Sequence, residues 1–108
     1  MDLMLRIKTG FFETTTFRLE IGEKELQLVP IKPEETAEIV LEKDNIHSVT
    51  LREKRLAELG IQTRNMLYWG IFEKDIPFEQ VVSYFRENLN IPILCEYEGR
   101  NTYEKTSL

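Results

Sequence analysis

The chain has 108 residues, with 14 basic and 19 acidic side chains and a formal net charge of −5. This length fits one domain, and a hydrophobic content of 42% is enough for a core without a metal or a disulfide staple. The acidic balance counts against a general binder of nucleic acid or anionic lipid, because both require clustered lysine and arginine. Cys95 is the single cysteine, which excludes an internal disulfide and fits a reducing compartment.

The first residues indicate no secretory signal, because Leu3, Met4 and Leu5 are followed at once by Arg6 and Lys8. No apolar run approaches the ~20 residues that a membrane-spanning helix needs. We therefore expect a cytoplasmic protein.

Apolar side chains that alternate with polar ones predict seven strands along most of the chain. Short connections between them favour antiparallel neighbours. The predicted strands span 3–8, 17–21, 25–28, 38–43, 46–53, 56–64 and 66–73. Gly60, inside the sixth strand, predicts a bulge or a close backbone approach.

One helix is predicted after the strands, over about 77–90. Its apolar stripe has the spacing of one helical face and consists of Phe78, Val81, Val82, Phe85 and Leu89. Asp75 is the candidate N-cap, Pro77 fits the first turn, and Pro92 prevents continuation. Ile93, Leu94 and Tyr97 indicate a short extra strand.

These elements predict a mainly β (α+β) fold. We expect a seven-stranded antiparallel, partly open barrel, or two packed sheets, capped by the single C-terminal helix. The predicted domain covers 1–98, and 99–108 is a polar tail.

Three stretches resemble the pleckstrin-homology-like superfold, in particular its bacterial and GRAM-like domains. They are the hairpin Phe17-x-Leu-x-Ile-Gly-x-x-x-Leu26, the strand–turn–strand 38–49, and the Leu-x-Ile-x-Thr strand 59–63 followed by an aromatic strand and the helix. The resemblance covers roughly residues 3–90. It implies a partly open barrel closed at one end by the helix, binding through loops at the open end, and no enzymatic activity.

Members of this superfold that bind phosphoinositides use a basic cluster in the first hairpin. The corresponding stretch here carries Arg6, Lys8 and Arg18, but also Glu13 and Glu20. Candidate basic loop tips are Lys8, Arg18, Lys54 and Arg55.

The sequence predicts no catalytic, cofactor or metal site. His47 is the only histidine and has no partner at metal-ligand spacing, so we interpret it as a surface or turn residue. Cys95 follows an apolar run and is interpreted as a half-buried small hydrophobic residue. Glu34, Glu35 and Glu38 lack the glycine-centred loop of a calcium site and predict a solvated loop.

Four aromatic residues form the candidate interaction surface. Phe11 and Phe12 are adjacent, so one of them points away from the core if this segment is extended. Tyr68 and Trp69 lie in the most apolar strand, and both residue types favour the core and protein interfaces.

The leading functional hypothesis is a non-enzymatic protein-interaction or assembly domain whose partner is another protein or a second copy. One alternative is a peripheral membrane module that binds anionic lipid head groups through the basic tips. A second alternative is a small-molecule-binding domain. We expect neither a nucleic-acid partner nor a cofactor.

Overall fold

A computed structural model describes residues 2–8 and 13–98 with their side chains, and 102–106 as backbone only. Strands and one α-helix form in these parts of the chain. In chain order they are β1 (Leu3–Lys8), β2 (Thr14–Ile21), β3 (Glu25–Pro30), β4 (Ile39–Glu42), β5 (Ile46–Arg52), β6 (Glu58–Thr63), β7 (Leu67–Phe72), α1 (Phe78–Asn88), β8 (Ile93–Tyr97) and β9 (Thr102–Thr106), with a 3-10 turn at Lys43–Asn45. The predicted mainly β fold with one helix late in the chain is confirmed.

The strands build one continuous sheet in the order β4-β3-β2-β1-β7-β6-β5-β8-β9. Neighbours pair antiparallel except β5 and β8, which are parallel. The reason is the helix: a chain that leaves a sheet and returns through a helical crossover can run in the same direction as the strand beside it.

The predicted seven-stranded antiparallel barrel, or pair of packed sheets, is therefore wrong in detail. The described side chains belong to eight strands, β1–β8, and the sheet is mixed and unclosed. The segment expected as a short extra strand is β8, a full member of the sheet. The backbone of β9 pairs with β8, and the predicted domain boundary at residue 98 stays a prediction.

The sheet curls strongly around its inner face. β4 and β5 are far apart in the strand order, yet only Lys43–Asn45 separates them along the chain. The end of β4 must therefore approach the start of β5. Inner-face side chains of β1–β8 and the apolar stripe of α1 consequently form one buried cluster.

The predicted helix stripe is confirmed: Phe78, Val81, Val82 and Phe85 are buried, and Leu89 just beyond the helix is buried too. The ring of Phe78 meets Tyr97 of β8 edge-on, with 5.4 Å between ring centroids. This face of α1 therefore completes the core.

The helix ends differ slightly from the prediction. Pro77, not Asp75, is the N-cap residue, and its carbonyl accepts the N–H of Gln80 at 2.9 Å. At the other end, the Lys43 ammonium donates to the Asn88 carbonyl at 2.9 Å. A cation there is favourable because helix carbonyls concentrate negative partial charge at the C-terminus.

Candidate interaction surface

The outer face of β6 and β7 holds a tryptophan flat against the sheet. Trp69 pairs with Gly60 across the two strands. A Cβ at Gly60 would lie 2.2 Å from Cζ3 and 2.4 Å from Cε3 of Trp69, so any side chain there would occupy the ring's place. The strand register is regular at Gly60, and the predicted close approach is made by this ring rather than by a bulge.

Charged side chains also hold the ring. The Arg52 guanidinium carbon lies 4.7 Å from the ring centroid, within the range of a cation–π contact. The indole N–H of Trp69 donates to Oε1 of Glu58 at 3.1 Å. Arg52 also donates through Nε to Oε2 of Glu96 at 2.6 Å, and its Nη1 lies 3.6 Å from Glu58. We call these five residues the Trp69 cluster: Arg52, Glu58, Gly60, Trp69 and Glu96.

The cluster follows from strand register. Arg52 pairs with Glu58 on β6 and with Glu96 on β8, so three strands bring the charges into one row. Directly opposed opposite charges stabilise neighbouring strands. The guanidinium of Arg52 is thus neutralised within the chain while its face covers Trp69.

Apolar side chains flank the cluster on β7. Leu67 and Ile71 alternate with Trp69, so all three share the outer face. Leu67 is 58% exposed and Ile71 is 37% exposed. We call the Trp69 cluster together with Leu67 and Ile71 the Trp69 surface.

Of the four residues predicted as an interaction surface, the two that the structure describes face opposite sides of the sheet. Trp69 lies on the outer face, whereas the adjacent Tyr68 points inward and packs half-buried against the core. Successive strand residues face opposite sides, so two neighbours cannot share one surface. Phe11 and Phe12 lie outside the described residues.

The predicted basic tips do not form one patch. Lys54 and Arg55 are exposed in the β5–β6 loop, as predicted. Lys8 is the last residue of β1. The β5–β6 loop lies beside Phe72, at the opposite end of β7 from the strand end that Lys8 approaches. Arg18 is not at a tip: it lies inside β2 and its Nη2 contacts Glu20 at 3.4 Å.

The other candidate residues occupy ordinary positions. His47 is exposed at an irregularity in the pairing of β5 with β6, and Cys95 is fully buried on β8, deeper than the half-burial expected. Glu34, Glu35 and Glu38 are exposed, and Glu35 lies 3.8 Å from Lys32. Among the described side chains, no group of three histidine, cysteine, aspartate or glutamate residues could hold a metal.

An open cleft of about 430 Å³ lies on another part of the surface, beside the start of β2 and the loop after β7. Thr16 donates to Glu73 there at 3.0 Å, and Arg6 lies 3.9 Å from the same carboxylate oxygen. These side chains satisfy one another, and the cleft is lined by mixed charges rather than by converging groups of one kind.

Arg52, Glu58 and Glu96 were missed by sequence reasoning. Arg52 and Glu58 flank a predicted hairpin tip, so their pairing could have been found from register. Glu96 could not, because its contact depends on the parallel pairing of β8 with β5.

No protein-family model matches the chain, and no curated protein matches it significantly. The described part of the chain contains no helix with the length and apolar character required to span a membrane.

Proposed function

We propose that this protein is a non-enzymatic interaction domain that assembles with a second copy of itself through the Trp69 surface. The observation that carries the proposal is the outer-face row Leu67, Trp69 and Ile71, in which Leu67 and Ile71 are exposed and Trp69 between them is half-buried. Aromatic side chains in such positions are favoured at protein interfaces.

The rigidity of the ring supports this role. Trp69 is held by Gly60 beneath it, Arg52 above it and Glu58 at its indole N–H. A side chain that is already fixed loses little rotamer freedom when a partner binds.

The charges of the cluster support it as well. Arg52 already has carboxylate partners at 2.6 and 3.6 Å, so a second copy need not supply its counter-charge. Two-fold pairing places the same surface on both partners, and two-fold dimers are the commonest oligomers.

We further propose that the domain belongs to the pleckstrin-homology-like superfold. The run of strands β1–β7, paired antiparallel and followed by one helix, supports this assignment. The parallel strand β8 after the helix is an addition to the pattern expected from the sequence.

Light scattering over a range of micromolar concentrations tests the assembly. We expect the mass to rise with concentration toward twice the 12.8 kDa of one chain. Leu67→Glu should shift the population toward the monomer, because it replaces an exposed apolar side chain of the contact by a charge. The change should leave the fold intact, since Leu67 is 58% exposed.

Ile31→Glu is the matched control. Ile31 is 44% exposed and lies in the loop after β3, which β2 and β1 separate from β7 in the strand order. A constant mass near 12.8 kDa would refute the proposal, and so would a dimer that Ile31→Glu disrupts and Leu67→Glu leaves unchanged.

A further inference from the structure

Strand β4 leaves one side of its backbone without a neighbour. It stands at the end of the strand order, and within the described residues it pairs with β3 alone. The Lys43 N–H donates to the Lys24 carbonyl at 2.9 Å, which sets the phase of hydrogen bonding between these strands. Because the direction of these bonds alternates along an antiparallel pair, both backbone groups of Val40 and the N–H of Glu42 point to the free side. The Glu42 carbonyl is used by the 3-10 turn Lys43–Asn45, for which Glu42 is the N-cap.

This edge has some of the features that discourage strand addition and lacks others. Edges are protected by short length, charged side chains, proline, a bulge or a covering loop. β4 is only four residues long and carries Glu42, but it contains no lysine and no proline, and it pairs with β3 in a continuous register without a bulge. Val40, in its middle, is 46% exposed.

A cleft of about 450 Å³ adjoins the free side of β4. Val40, Leu41 and Glu42 line one wall, and the turn at 63–65 lines the other. No residue of β3 lines it, which places the cleft on the side of β4 away from its partner. The cleft therefore gives an incoming extended segment access to the free backbone groups.

The charges next to the edge identify the kind of segment. Val40 and Glu42 share the outer face, and Glu38, one residue before the strand, is exposed in the same alternation. Arg64 stands alone as a cation on the far wall, and the Lys43 ammonium is engaged by the Asn88 carbonyl. The strand itself thus presents a carboxylate on each side of an apolar residue.

A second copy of the chain fits this edge poorly in the register centred on Val40. Two-fold antiparallel pairing centred on Val40 would place Glu38 opposite Glu42 of the other copy, twice. Like charges directly opposed across strands are destabilising. The complementary arrangement has cations at these two positions and an apolar side chain between them.

We propose that the β4 edge binds an extended basic segment of another protein by strand addition. The segment has the pattern cation-x-apolar-x-cation. Its backbone pairs with the N–H and C=O of Val40 and with the N–H of Glu42. Its apolar side chain covers Val40, and its cations meet Glu38 and Glu42. This site is separate from the Trp69 surface, and neither proposal depends on the other.

Fluorescence anisotropy with two labelled peptides tests the site. The probe is Thr-Lys-Thr-Val-Thr-Lys-Thr-amide with the fluorophore on its N-terminal amine, and the matched control replaces both lysines by glutamate. We expect the basic peptide to bind at least about tenfold more tightly than the acidic one. Equal affinities, or no binding of the basic peptide, would overturn the proposal.

Val40→Pro separates backbone pairing from simple charge attraction. Proline removes the N–H that faces the free side, while the bonds to β3 remain because they use Ile39 and Leu41. Binding should fall about tenfold or more in Val40→Pro and persist in Val40→Thr, which keeps the N–H. Unchanged binding by Val40→Pro would contradict strand addition.

Charge reversal provides a second test, which does not require that the fold tolerate proline at position 40. Glu38→Lys with Glu42→Lys should reverse the preference, so that the acidic peptide binds more tightly. Hydrogen exchange in the wild-type chain should show slower exchange at Val40 when the basic peptide is bound, and unchanged exchange there would refute the proposal. Leu67→Glu should leave peptide affinity unchanged, which distinguishes this site from the assembly surface.

Discussion

Phe72 and Trp69 lie on the same strand, but different interactions hold them in place. Phe72, on the inner face, is 1% exposed and belongs to the continuous apolar core. Trp69, on the outer face, is half-buried by a glycine beneath it and a guanidinium above it. The inner face depends on volume and burial, whereas the outer face depends on particular partners at particular positions.

The inner face should give the largest response to mutation. Phe85 of α1 is completely buried, so Phe85→Ala removes most of a large side chain from the core. We expect a loss of about 3–5 kcal/mol in the free energy of unfolding. Chemical denaturation measures this loss. Ser83→Ala, on the exposed face of the same helix, should change stability by less than about 0.5 kcal/mol. A loss at Phe85 below about 1 kcal/mol would mean that the stripe is not the core contact.

A methyl group at Gly60 should break the outer face while sparing the inner one. Gly60→Ala places its Cβ within 2.4 Å of two ring carbons of Trp69, so the ring must leave. We expect a loss of about 1–3 kcal/mol, typical of overpacking, and a red shift of tryptophan fluorescence. The same substitution in a Trp69→Ala background should cost much less. Equal costs in both backgrounds would show that the ring does not limit this position.

Removing the Arg52 side chain should have a smaller effect. Its side chain is 38% exposed, so solvent screens its ion pairs, and the cation–π contact supplies part of its stabilisation. We expect Arg52→Ala to cost about 1 kcal/mol. A double-mutant cycle with Trp69→Phe should give a coupling energy above zero. A coupling energy of zero would show that Arg52 does not stabilise the position of the Trp69 ring.

The smallest effect on stability is expected for an outer-face ion pair that contacts no aromatic ring. Arg18 and Glu20 have side chains that are 46% and 48% exposed, and their closest charged atoms are 3.4 Å apart. Arg18→Ala should change the free energy of unfolding by less than about 0.5 kcal/mol. Thermal or urea melts suffice for this comparison. If Arg18→Ala lowered the free energy of unfolding as much as Arg52→Ala, the contact with the Trp69 ring would add nothing to the stability of the Arg52 ion pairs.

The same contrast explains what the sequence could predict. The spacing of Phe78 to Leu89 and the alternation along β1–β3 are local patterns of burial, and both identify their elements correctly. Gly60 indicated a close approach, but nothing nearby in sequence shows that an indole makes it. The pairing of β8 with β5 joins segments separated by two strands and a helix, so no local pattern encodes it. For that reason the contact between Arg52 and Glu96 could not be predicted from the sequence.

The parallel strand β8 has a consequence for the order in which the domain is made. During synthesis β5 emerges first, and its side facing β8 stays uncovered until 93–97 follows the helix. The Val49 N–H then finds the Pro92 carbonyl at 3.0 Å, and the Glu53 N–H finds the Glu96 carbonyl at 2.7 Å. Until these bonds form, a nascent chain exposes a strand rich in apolar residues, the kind of species that associates during folding. The last described side chains of the sheet therefore complete the backbone pairing of a strand that precedes them by two strands and a helix.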